Sequence, residues 1–156
     1  MIALNRAHGV LLDLDGTLLD TAPDLIASIN RLLDEQGFAA LPEREFAGSV
    51  GHGSAPMIAR AFNLGNTDHM FEGLRQRFLD LYHEQVSHQT RPYEGMEAMI
   101  DILEAAGIPW GIVTNKPGWL TEPLLTALGY GERPACVVTG DDLAESPNTL
   151  TESLLD

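Results

Sequence analysis

Only one cysteine, Cys136, occurs in the 156 residues, so no intrachain disulfide can form. Set in an apolar stretch, it reads as a buried, inert thiol, and a reducing cytoplasm fits that usage. Lysine is equally scarce, with Lys116 alone. Basic residues number 9 against 23 acidic ones, a formal net charge of −14. A field of that sign makes nucleic acid and anionic membrane poor partners. It also opposes anionic substrates, so any phosphate site here needs local help from a metal ion, backbone amides or a rare cation. No stretch approaches the roughly 20 apolar residues that span a bilayer. The opening Met1-Ile2-Ala3-Leu4-Asn5-Arg6 lacks the layout of a secretory signal. The five histidines, His8, His52, His69, His83 and His88, show no metal-ligand spacing and read as surface residues.

What is present is the composition of a soluble globular domain, 44% apolar and 21% charged, long enough to bury a real core. Its most informative stretch is Val10-Leu11-Leu12-Asp13-Leu14-Asp15-Gly16-Thr17. An apolar run near an N-terminus predicts a buried strand, here over 9–14. Residues i and i+2 of a strand point the same way, so Asp13 and Asp15 are expected side by side at its lip. Like charges that close are costly unless a cation or a shared proton relieves them. The pair therefore marks a site.

Helical spacing follows. Thr21-Ala22-Pro23-Asp24 reads as a capping box opening a helix that Gly37 stops. Residues 38–90 show no convincing strand. A short helix is expected over 43–47, another from a Ser54 cap to Phe62, and a longer one over 68–86. Gly48-Ser49-Val50-Gly51-His52-Gly53 is a flexible loop. Beyond Pro92 the pattern alternates: helix 96–106, strand 108–113 ending in Thr114-Asn115-Lys116-Pro117, helix 121–128, and strand 135–138 ending in Thr139-Gly140-Asp141-Asp142. Alternating strands and helices predict a parallel sheet with right-handed crossovers. Ligands of such sheets bind outside the carboxyl ends of the strands, where Asp13, Asp15, Thr114 and Asn115 all fall. The expected fold is α/β, a Rossmann-like parallel sheet with a helical cap inserted after the first strand. The core takes 1–18 and 89–156, and the cap takes 19–88.

Asp13-Leu14-Asp15-Gly16-Thr17 resembles the first motif of the haloacid dehalogenase superfamily of phosphatases, and Val113-Thr114-Asn115-Lys116 resembles its second. Asp20-Thr21-Ala22-Pro23-Asp24-Leu25 and Tyr93-Glu94-Gly95-Met96 are similar to the phosphoglycolate phosphatase branch. That branch includes close relatives acting on sugar phosphates such as N-acetylmuramic acid 6-phosphate. The resemblance implies that Asp13 is a nucleophile forming an aspartyl-phosphate and that Asp15 is the general acid, then base. It implies Mg²⁺ bound by an Asp13 oxygen and the Asp15 backbone carbonyl. Thr114, Asn115 and Lys116 are the implied substrate-binding residues, and a small phosphorylated metabolite is the implied partner. The loop Gly51–Gly53 is either a turn between helices or a carrier of cap residues toward the leaving group. A phosphosugar mutase or a dehalogenase is the second enzymatic reading; the dehalogenase has no need of Asp15.

Two family elements are not found. The lysine expected beside Ser146 and Pro147 is absent, and the strand bearing distal metal acids does not follow. Lys116 and the acids Asp141 and Asp142 are the substitutes to weigh, the acids also fitting an ordinary turn. A short helix is expected over 146–156. On this reading the chain as given is weakly active or inactive. Self-association through an open sheet edge is expected, and a non-catalytic remnant acting as a binding protein is the rival function.

Overall fold

The computed structural model describes residues 8–46 and 48–145. The helix expected over 146–156 lies outside the described residues. The chain divides into two compact units, one of residues 1–19 and 92–156, the other of residues 20–91.

The first unit is built on three parallel strands in the order β1, β4, β5: β1 is Val10–Leu12, β4 is Trp110–Val113 and β5 is Cys136–Val138. The register pairs Leu12 with Ile112, and Ile112 with Val137. β4 is the central strand, and its Trp110, Gly111 and Ile112 are buried. Leu12 and Leu14 turn inward while Leu11, on the other face, stays 46% exposed. Leu11, Gly111 and Cys136 lie in register across that face. A side chain at Gly111 would start 2.5 Å from the Cys136 sulfur, so only glycine leaves room there. Cys136 itself is exposed, not buried as its apolar neighbours suggest. Its strand supplies only three residues, and the cysteine sits on the face that Leu11 also leaves open.

α4 (Met96–Ala105) and α5 (Gly118–Ala127) are the crossover helices, burying Ile100 and Leu103, and Leu120, Leu124 and Leu125. α5 starts three residues before the expected Thr121. Pro123 therefore stands in its second turn and forgoes a single hydrogen bond, to the Trp119 carbonyl. Beyond α5, Tyr130 is fully buried and packs edge-on against Trp110 with ring centroids 6.2 Å apart. Arg133 lies over the Tyr130 ring and bonds Glu97, Asp101 and Glu104. Asp141 and Asp142, expected in a turn, open a short helix, α6 (Gly140–Glu145).

The second unit is a bundle of α1 (Ala22–Glu35), α2 (Ser54–Phe62) and α3 (Phe71–Glu84). Glu43–Glu45 forms a single tight 3-10 turn. Leu25, Ile29, Leu32 and Leu33 of α1 recur at helical spacing and are buried, as are Leu74, Phe78, Leu81 and Tyr82 of α3. Each such side chain removed from water contributes about 1.5–3 kcal/mol. Two-residue strands β2 (Leu19–Asp20) and β3 (Arg91–Pro92) pair where the chain leaves and re-enters the first unit.

Neither expected helix cap forms. Thr21 makes no side-chain cap bond to α1, and α2 is capped at Gly53, not Ser54. The Ser54 hydroxyl instead accepts Nε of Arg75 at 2.8 Å. Asp24 is wholly buried, and its carboxylate accepts the N–H groups of Gln89 and Thr90 and the Thr90 hydroxyl, at 2.7–2.9 Å. An acid that looked like a local cap therefore ties the start of the bundle to its end.

Candidate active site

β1 ends at Leu12, short of both acids, so Asp13 and Asp15 lie in the loop after the strand. The loop meets its own hydrogen-bonding needs. The Asp13 carboxylate accepts the Leu14 N–H at 2.8 Å, and the Asp13 carbonyl accepts the Leu18 N–H at 3.2 Å. Gly16, at φ +80, donates its N–H to the Leu19 carbonyl at 2.9 Å. The positive φ is the conformation glycine adopts without steric cost, which is why the turn follows Asp15 at once. Leu14, Leu18 and Leu19 are buried while Asp13 stays exposed and Asp15 partly so. Apolar anchors thus hold the loop and leave the Asp13 carboxylate open to solvent.

The neighbouring strand places the second group. Thr114 follows the last residue of β4, donates its N–H to the Val138 carbonyl at 2.9 Å, and is 3% exposed. Its hydroxyl accepts the Lys116 N–H at 3.2 Å. Asn115 is exposed. The Lys116 ammonium reaches Oδ1 of Asp15 at 3.2 Å. Since Leu12 pairs with Ile112, continuing the register sets Asp13 opposite Val113, one residue before Thr114. Asp13, Asp15, Thr114, Asn115 and Lys116 therefore come together at the carboxyl edge of the sheet, on two adjacent strand ends.

Residues after β5 hold this edge in place, a role the sequence reading, which weighed Asp141 and Asp142 as metal acids or a turn, did not give them. Gly140 donates its N–H to the Lys116 carbonyl at 3.0 Å. A side chain there would start 2.3 Å from the Asn115 carbonyl oxygen, so glycine is required by close backbone approach. Asp142 accepts the N–H and hydroxyl of Thr139 at 2.8 and 2.9 Å, the back-bond of a capping box at the start of α6. The Thr139 N–H holds the Asp142 carboxyl below its usual range, helped by the hydroxyl. Asp141 accepts the N–H of Gly118, the first residue of α5, at 2.7 Å. Both acids are thus committed to helix starts. The signal was in the sequence, since Thr-Gly-Asp-Asp carries the Thr-x-x-Asp spacing of a capping box. Among the described residues no cluster of three or more His, Cys, Asp or Glu side chains gathers as a cation site. Nor, among them, is any helix long and apolar enough to cross a membrane. All five histidines are exposed.

The chain matches the haloacid dehalogenase-like hydrolase family over residues 10–154 and belongs to it. It is 41% identical over 141 residues to the N-acetylmuramic acid 6-phosphate phosphatase of Pseudomonas aeruginosa, covering 90% of this chain and 62% of that one. It is 42% identical over 139 residues to the phosphoglycolate phosphatase of Xanthomonas campestris, covering 88% and 62%. The chain thus spans 62% of the length of these two curated relatives. Its fold is similar to the crystal structure of a predicted phosphoglycolate phosphatase from Haemophilus somnus. The TM-score is 0.77 at 28% identity, over 88% of this chain and 64% of that one.

Proposed function

We propose that this chain carries the nucleophilic half of a Mg²⁺-dependent phosphatase acting on a small phosphate monoester such as 2-phosphoglycolate. The observation that carries the reading is the exposed Asp13 carboxylate beside Asp15 and Thr114 on adjacent parallel strand ends. On this reading an Asp13 oxygen attacks phosphorus, and the bond from phosphorus to the alcohol oxygen breaks. Asp15 gives its proton to that oxygen. A water then attacks the aspartyl-phosphate, Asp15 takes the water's proton, and Asp13 is released with inorganic phosphate. The Thr114 hydroxyl, whose oxygen already accepts the Lys116 N–H, has its proton to donate to a phosphoryl oxygen. The Asn115 N–H is a second donor and Lys116 adds positive charge nearby.

The donor set suits a hard cation, because Asp13 and the Asp15 backbone carbonyl offer oxygen alone. Magnesium is commonly bound by one or two carboxylates together with substrate phosphate and water. When bound, it would offset the charge between carboxylate and phosphate. The helical unit of residues 20–91 is read as the family's cap. A second substrate reading, a sugar phosphate of the N-acetylmuramic acid 6-phosphate type, is favoured by the relative that carries that name.

The test is phosphate release from both esters by the purified chain with Mg²⁺. Release that stops with Asp13→Asn and with chelator supports the proposal, and the ester with the higher kcat/KM decides between the readings. Release that survives Asp13→Asn sinks it.

A further inference from the structure

The Lys116–Asp15 pair is unlike the surface ion pairs of this chain. Its two side chains are only 5% and 14% exposed, and the ammonium lies 3.2 Å from the carboxylate. Charges withdrawn from water are costly to separate, because either one left alone is poorly solvated. The backbone that carries the lysine is fixed on several sides. The Lys116 N–H is held by the Thr114 hydroxyl, and its carbonyl accepts both the Gly140 N–H and the Thr121 hydroxyl, the latter at 3.4 Å. Asp13, by contrast, is exposed, and so is Asn115. A phosphoryl group reaching Asp13 from solvent meets Asn115 on the open side, while the only lysine is buried against Asp15.

From this arrangement we infer that Lys116 is a positioning residue: it holds the Asp15 carboxyl group in the orientation from which the leaving oxygen is protonated, and it does not itself bind the phosphoryl group. The inference rests on the aspartyl-phosphate reading above. The carboxylate of the resting pair first takes a proton from solvent; in the step Lys116 governs, that proton passes from Asp15 to the alcohol oxygen as the phosphorus–oxygen bond breaks, and the ion pair forms again. An alkoxide needs that proton. A nitrophenolate leaves without it.

Leaving-group dependence therefore separates orientation from phosphate binding. Alcohol or phenol release is measured in a single turnover, enzyme in excess, with an alkyl monoester and with 4-nitrophenyl phosphate. In Lys116→Met the alkyl-to-aryl rate ratio is expected to fall about 100-fold, the usual scale for a misplaced catalytic group. Because the ratio is taken within one sample, it does not depend on how much of the variant folds. Lys116→Gln serves as a second variant, and Lys116→Arg is expected to recover part of the ratio. An equal loss on both esters, with weaker inhibition by inorganic phosphate, would assign Lys116 to phosphate binding and overturn the inference. Crystal structures of the wild-type and Lys116→Met chains supply a readout free of turnover. Support is a wild-type pair within hydrogen-bond distance and an Asp15 carboxylate that turns away in the variant. An Asp15 that keeps its place overturns the inference. A wild type without Asp13-dependent release counts against turnover by this chain and not against the positioning role, since the crystal comparison still decides whether Lys116 orients Asp15.

Discussion

Single residues show how closely chemistry and support are interleaved here. Asp13 and Asp15 are held by a loop whose alternate leucines are buried. Lys116 is fixed by Thr114, Thr121 and Gly140, three residues whose own polar groups serve this edge. The two carboxylates were legible as a site because an apolar strand has no other use for adjacent acids. Gly140 was not, since its necessity comes from a carbonyl 25 residues earlier in the chain. Cys136 misled for the same reason: apolar neighbours in sequence say nothing of which sheet face is covered. The structure predicts that Cys136 reacts fully with a colourless aromatic disulfide reagent in the native chain, without denaturant. A thiol that reacts only after unfolding would contradict its exposed position.

At the scale of elements, the links between distant segments carry more than local caps do. Asp24 receives three separate donor groups from Gln89 and Thr90 across the whole helical unit. Asp24→Ala leaves the buried Thr90 N–H and hydroxyl without an acceptor, at a cost of about 1–3 kcal/mol for each group left unsatisfied. The expected outcome is a large drop in the denaturation midpoint, with helix content in the remaining native chain unchanged. A variant as stable as the wild type would show that water or another acceptor takes over. Helix positions were legible from spacing, and Ser54–Phe62 is found where expected. Strand ends were not. β1 stops at Leu12 because the Asp13 carbonyl and carboxylate take loop partners instead of extending the ladder.

For the whole molecule, acidic charge dominates, and Arg31, Arg60, Arg75, Arg77 and Arg133 are each paired with a carboxylate. Arg77 holds the Glu35 carboxyl below its ordinary value of 4.5. Arg133, with help from the Trp110 N–H, does the same for Glu104. A carboxylate with a lowered folded value takes up its proton later in the folded chain than in the unfolded one. Its contribution is therefore present in full at neutral pH and is lost as the pH falls below about 4.5. Thermal melts between pH 7 and 3 should show the midpoint declining below that value. Arg133→Ala should flatten the decline, and an unchanged profile in that variant would remove Arg133 from the account. Both carboxylates face solvent, so salt should weaken the effect.

Sequence by itself determined the two acids, the strand-end threonine, the alternation of strands and helices, and the net acidic charge. These are local facts, set by side-chain period and by the cost of placing like charges together. Tertiary structure alone decided that Lys116 lies on Asp15, that Asp141 holds the start of α5, and that Asp24 spans a unit. Each depends on groups far apart in the chain arriving within hydrogen-bond distance, which no spacing along the sequence records.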